Sequence, residues 1–176
     1  MSVLPAGDWT VDGPHSVVAF EVEHNSLQEF RARFTEYSAE LKTDDGGLGI
    51  EGSVAVESVD IGLDKLREVV LSDEFLDAAN HPEITFRSSD INLSDDGSLE
   101  VKGTLGLKGN SGEVTARGKL TGPVTDLHGS PRVSVQVEAV INRKEYGLEW
   151  HADLDGGEAV LGDDVKLIAN LELAQG

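Results

Sequence analysis

Period-two alternation of apolar and polar residues is the feature that most narrows what this chain can become. Val18, Phe20, Val22 and His24 share one face of a run whose other face carries Glu21 and Glu23. Phe30, Ala32 and Phe34 alternate with Arg31, Arg33 and Thr35. Leu99, Val101, Leu105 and Leu107 alternate with Glu100, Lys102, Thr104 and Gly106. Val133 through Ile141 and Val165 through Leu173 repeat the pattern. Side chains in an extended chain point to opposite faces in turn, so each run predicts a strand with one greasy side. Ile50, Val54 and Val56 predict a further strand with a bulge at Gly52. Asp44-Asp45-Gly46-Gly47, Ser94-Asp95-Asp96-Gly97 and Asp155-Gly156-Gly157 are turn signals between runs. About eight such strands joined by short turn-rich links predict an antiparallel barrel or sandwich.

One stretch breaks the alternation. Leu63, Leu66 and Val70 fall at i, i+3 and i+7, the spacing of one helical face. Ser72, followed by Asp73 and Glu74, predicts the capped start of a second short helix. Phe75, Leu76 and Ala79 give it an apolar side, Asn80 ends it in the left-handed conformation and Pro82 stops it. A helix pair inside an all-β chain is expected to close the open end of the barrel as a lid.

Charge and composition exclude several classes. The formal net charge of −19 leaves no basic patch for nucleic acid and opposes docking on anionic lipid. There is no cysteine, hence no disulfide or thiol nucleophile. No run approaches the ~20 apolar residues of a membrane span. The start MSVLPAGDW lacks a basic n-region and an apolar core, which predicts a cytoplasmic protein unless the chain was trimmed to a mature start. No internal boundary is evident, so residues 1–176 are read as one domain. His151-x-Asp153-x-Asp155 is too weak a spacing to nominate a metal, no Gly-x-Ser-x-Gly elbow is present, and no carboxylate pair has the spacing of a general acid and base.

Several blocks in order then resemble one family. His15-Ser16-x-x-x-Phe20-x-Val22-x-His24, Arg33-Phe34 with Tyr37, Ser72-Asp73-Glu74-Phe75-Leu76-Asp77 and His81-Pro82-Glu83-Ile84-Thr85-Phe86 are similar to blocks of the YceI-like family. Leu105 to Gly109, Asn142-Arg143 with Tyr146-Gly147-Leu148, and Leu161 to Val165 follow in the same order. The resemblance implies an all-β fold: an extended eight-stranded antiparallel lipocalin-like barrel with a short helical lid. It also implies a non-enzymatic carrier that holds an isoprenoid lipid, a polyprenyl chain or a quinone, in an elongated apolar cavity. On that reading Phe20, Val22, Phe34 and Phe86 line the cavity, and Leu66, Val70 and Phe75 close it. Arg143 and Trp150 sit near the mouth, and His24 either meets a head or ring oxygen or is a satisfied core histidine. No cofactor or metal is expected, and a homodimer is left open. The family's His or Arg before the Ser-x-x-Phe block is replaced by Val69, Val70 and Leu71, and its His in the Leu-x-Leu-His-Gly block is Lys108. Only Arg31, Arg33, Arg143 and Lys144 cluster, so a neutral head such as a quinone is expected over a pyrophosphate. The alternatives are a filled barrel acting as an interaction or stress-response module, and an enzyme of isoprenoid metabolism.

Overall fold

The computed structural model describes residues 4–44 and 47–176. Eleven strands, all paired antiparallel, form one sheet that closes on itself. They are β1 (Gly7–Val11), β2 (Val17–His24), β3 (Gln28–Phe34), β4 (Tyr37–Asp44), β5 (Gly47–Ala55), β6 (Val59–Asp60), β7 (Glu83–Leu93), β8 (Ser98–Leu107), β9 (Asn110–Thr125), β10 (Pro131–Asn142) and β11 (Leu161–Gln175). The expected turn at Asp44 to Gly47 falls partly outside the described residues.

The eleven reduce to eight staves because the first three are broken in the middle. β1 pairs with β4 and β11, while β2 pairs with β3 and β11, so β1 and β2 are two halves of one stave. By the same logic β3 continues as β4, and β5 continues as β6. The breaks are the turn Gly13–His15, the corner Thr35-Glu36 and the turn Val56–Ser58. Two serines stitch them. Ser16 Oγ donates to Asp12 O at 2.7 Å and accepts from Glu172 N at 2.9 Å. Ser58 Oγ accepts from Glu36 N at 3.0 Å and donates to Ala55 O at 2.7 Å. Val56, read from sequence as strand, lies in the third break. Gly52 makes no bulge. Its missing side chain instead lets β4 close in, since a Cβ there would stand 2.7 Å from Ser38 O.

The apolar faces point inward as the alternation requires and gather into two cores. One, at the end carrying Trp9, packs Trp9, Leu41, Leu120, Val135 and Leu173. The other packs Phe34, Val56, Val59, Leu76, Tyr146 and Leu148. Val18 and Phe86 touch both.

One helix forms, not two. α1 (Asp64–Leu71) carries Asp64 in its first turn, where the dipole favours a negative charge, and has no fully buried residue. Ser72 ends this helix rather than starting another: its N–H and Oγ both donate to Val69 O. Residues 73–80 are turns. Asp77, not Asn80, takes the left-handed conformation, at φ 50°, and its N–H returns to Ser72 O at 2.8 Å. A segment this short gains too few hydrogen bonds to offset helix nucleation. Folded as turns, it sends Leu76 and Ala78 into the barrel, at 9% and 6% exposure. The stopper is this turn segment, with α1 lying outside it.

At the Trp9 end Arg132 ties three carboxylates together. Its Nη1 donates to Asp12 at 2.5 Å and meets Glu172 at 3.4 Å, and its Nε donates to Asp126 at 2.9 Å. The hydrogen bond from Arg132, then that from His15, holds Asp12 below the usual carboxylate range. Backbone bonds from Ser130 and His128, with Arg132, do the same for Asp126. A depressed folded pKa gives stability that is full above the unfolded value near ~4 and is lost as pH falls through the folded value. Melting temperature is therefore expected to fall between about pH 4 and pH 2, and an Arg132→Met variant to show a flatter fall over that window. Identical slopes for the two proteins would remove Arg132 as the cause.

Candidate ligand-binding lumen

Inward residues of β2, β7 and β11 are only half-buried: Val18, Phe20, Ile84, Phe86, Leu167 and Ala169 all keep some accessible surface. In a barrel filled by its own side chains these positions would be sealed. All but Phe20 border a hollow of about 200 Å³ between the two cores, which is why they are not sealed. Val18, Phe34, Ile50, Phe86, Val137 and Leu167 are part of its wall. Glu51 borders the hollow through its backbone side only, for its carboxylate turns outward to Lys42 at 3.1 Å and Arg87 at 3.0 Å. Ser88, on the inner face of β7, accepts from Ile50 N at 2.9 Å, which holds its oxygen against the β5 backbone.

A glycine keeps the hollow open. Gly103 lies on β8 opposite β7, and a Cβ there would stand 2.5 Å from Phe86 Cζ. The Phe86 ring occupies the room the missing side chain leaves, against the wall rather than across the lumen.

Of the residues picked from sequence, Phe34 and Phe86 line the hollow. Phe20 packs on Phe34 with ring centroids 5.9 Å apart. Val22 is buried, paired with Phe30 and Val165 farther along the barrel. Val70 packs against the lid-end core and Leu66 is half-buried on α1. Phe75 and Trp150 stack at 5.4 Å outside the lumen. His24 is at the exposed end of β2, where the strand outruns the core, so it meets no ring or head inside.

Arg143 differs most from expectation. It is 3% exposed, and its guanidinium donates to Gly162 O at 2.8 Å, Leu148 O at 2.6 Å and Trp150 O at 2.8 Å, with Asp163 at 3.5 Å. Burial pulls its pKa below the usual arginine value, with Asp163 opposing. It braces the irregular segment between β10 and β11, and its donors are spent on carbonyls. The other clustered cations are engaged as well: Arg31 with Glu21, Arg33 with Asp60 at 3.1 Å, and Lys144 with Asp163 at 3.0 Å. Lys108, left-handed at φ 50° in the β8–β9 turn, donates to Asp73 O at 2.7 Å and ties the lid to that hairpin.

A YceI-like domain model matches residues 9–173. The chain belongs to the YceI-like family. Among relatives, a UPF0312 protein of Staphylococcus aureus (strain bovine RF122 / ET3-1) is 25% identical over 171 residues, 95% of this chain and 97% of its own length. A UPF0312 protein of Pseudomonas aeruginosa (strain LESB58) is 25% identical over 172 residues, 95% of this chain and 86% of its own. Among solved structures, BcnA of Burkholderia cenocepacia superposes with a TM-score of 0.79 at 21% identity, covering 92% of this chain and 98% of that one. A polyisoprenoid-binding domain from Saccharophagus degradans, implicated in plant cell wall breakdown, superposes at 0.72 with 17% identity, covering 96% and 98%. The YceI-like barrel expected from the sequence motifs is the fold observed. No helix among the described residues is long and apolar enough to cross a membrane.

Proposed function

We propose that the protein is a non-enzymatic carrier for an isoprenoid lipid with an uncharged head, a quinone or a polyprenol, whose tail enters the lumen. The observation that carries this reading is the lumen's apolar wall, from which the one bordering carboxylate is turned away. Each buried methylene contributes about 0.8 kcal/mol, so a branched hydrocarbon tail binds such a space without polar contacts. The polyisoprenoid-binding function of the Saccharophagus relative supports the choice of lipid. The engagement of Arg31, Arg33, Arg143 and Lys144 supports the uncharged head, because a pyrophosphate needs cations that are free to turn toward it.

One observation favours a second reading, a barrel that works without a lipid. An apolar cavity of ~150 Å³ takes a molecule the size of benzene, so a hollow of about 200 Å³ takes only a short stretch of tail unless side chains move. Native mass spectrometry of freshly purified protein separates the two. A co-purified lipid, or uptake of added ubiquinone in preference to geranylgeranyl diphosphate at physiological salt, is the expected result. No uptake of either favours the lipid-free barrel, and tighter diphosphate binding overturns the uncharged head.

A further inference from the structure

The barrel wall is split on one side. β9 pairs with β8 along its whole first half, to Leu107–Asn110, and β10 pairs with β11 out to Asn142–Asp164. Between β9 and β10, however, the register runs from Pro131–Thr125 only as far as Glu138–Arg117. Beyond that pair, residues 110–116 and 139–142 face each other with no ladder between them. The seam is pinched shut just before it opens. At Gly118 a Cβ would stand 1.8 Å from Gln136 O, so only glycine lets the strands meet so closely there. Past the pinch lies a cleft of about 660 Å³. Val114 and Ala139 line both this cleft and the lumen. One side of each bounds the cleft and the other bounds the hollow.

The floor of the cleft holds an unused donor. Tyr146 is 3% exposed, on the turn Arg143–Tyr146 that runs beneath the split. Its ring reaches β9 at Gly112, where a Cβ would stand 2.8 Å from Oη. Its backbone carbonyl accepts from Asn110 Nδ2 at 2.9 Å, but its hydroxyl has no partner among the described residues. Trp9 Nε1 is the one fully sealed side-chain polar atom without a partner among them, so Tyr146 Oη keeps some accessible surface, on a residue that lines the cleft. A phenol this buried ordinarily finds a partner. The rim is acidic, from Glu113, Glu138 and Glu145, and its one cation, Arg117, is held by Glu100 at 2.9 Å.

Building on the carrier reading, we propose that the split between β9 and β10 is the lipid's side entrance and head-group site. The tail passes between Val114 and Ala139 into the lumen. The head stays in the cleft, where an uncharged oxygen accepts from Tyr146 Oη, and the rim carboxylates turn phosphates away. The turn segment that stoppers the barrel's end then stays shut during loading.

The chain's lack of cysteine makes the test clean. Thr115→Cys with Val140→Cys places one thiol on each lip, and a short bismaleimide bridges them. Gln136→Cys with Asn170→Cys, paired across β10 and β11 with both side chains exposed, is the control. The probe is ubiquinone with two isoprene units, followed by stopped-flow quenching of tryptophan emission. Bridging the split is expected to slow uptake at least tenfold and bridging the control pair to leave it unchanged. Equal rates in the two bridged proteins overturn the side entrance. Tyr146→Phe is expected to weaken ubiquinone about tenfold and leave squalene, which has no oxygen, unaffected. Unchanged ubiquinone affinity overturns the head-group role. A wild-type protein whose emission ubiquinone does not quench, and which takes up no squalene, overturns the carrier reading itself.

Discussion

A Phe86→Arg protein should melt roughly 6–12 °C below wild type and take up no isoprenoid, because the substitution puts a charge where the two cores meet. Phe86 is half-buried on the inner face of β7, with its ring against Gly103. A guanidinium there has no carboxylate facing it, since Glu51 is directed outward to Lys42 and Arg87. Leaving a charge unpaired in an apolar space costs several kcal/mol, and the long arginine stem recovers part of that by stretching toward water. A net loss of about 3 kcal/mol is the expected balance for a site bordered by a hollow rather than by close packing. Phe86→Leu keeps the wall apolar and separates the two effects: it should lose some stability while still taking up lipid. Thermal denaturation with parallel ubiquinone binding reads both. If Phe86→Arg matched wild type in melting and uptake, this face of β7 would not face the interior.

The second large effect is at Arg143, and it falls on the scaffold. Arg143→Met should lower the urea midpoint by an amount worth about 3–5 kcal/mol, the cost of stripping buried partners of their charge-assisted bonds. Gly162, Leu148 and Trp150 would lose the donor that now satisfies their carbonyls. Arg143→Lys should restore little of this, because a single ammonium lacks the fork that reaches all three at once. Trp150, which stacks on Phe75, supplies the local signal. Its emission should shift toward that of an exposed indole in both variants. A loss under about 1 kcal/mol for Arg143→Met would mean that water replaces the guanidinium easily.

The strands were legible because alternation is a local signal. Val133 to Ile141 and Val165 to Leu173 could face only one way without exposing a greasy side, and the structure turns them inward. The first break shows in the sequence, where Trp9 to Pro14 reads as a short strand and a turn, but those at residues 35–36 and 56–58 were not legible. Ser58 sets them by hydrogen-bonding to backbone far along the chain, at Glu36. The second helix misled for a similar reason. Ser72, Asp73 and Glu74 carry good start signals, but the pull of Leu76 and Ala78 into the barrel outweighs the helix propensity of so short a segment. In the wall of the hollow, Phe34 and Phe86 were recoverable from period and residue type. Arg143 was misplaced because a lone arginine in an irregular stretch reads the same whether it serves a ligand or a bundle of carbonyls. The split between β9 and β10 left no trace in composition. Only Gly118, inside an alternating run, marked where two backbones come unusually close.

The interrupted staves have a consequence for how such a chain can vary. In an unbroken strand, gaining one residue turns every later side chain to the opposite face. Here the count restarts at Gly13–His15, at Thr35-Glu36 and at Val56–Ser58, so an insertion at one of those points leaves the inward set on both sides where it was. On these three staves the half around Trp9 and the half at the other end can change length and lining separately, while β7 to β11 run through both halves and hold them in one register.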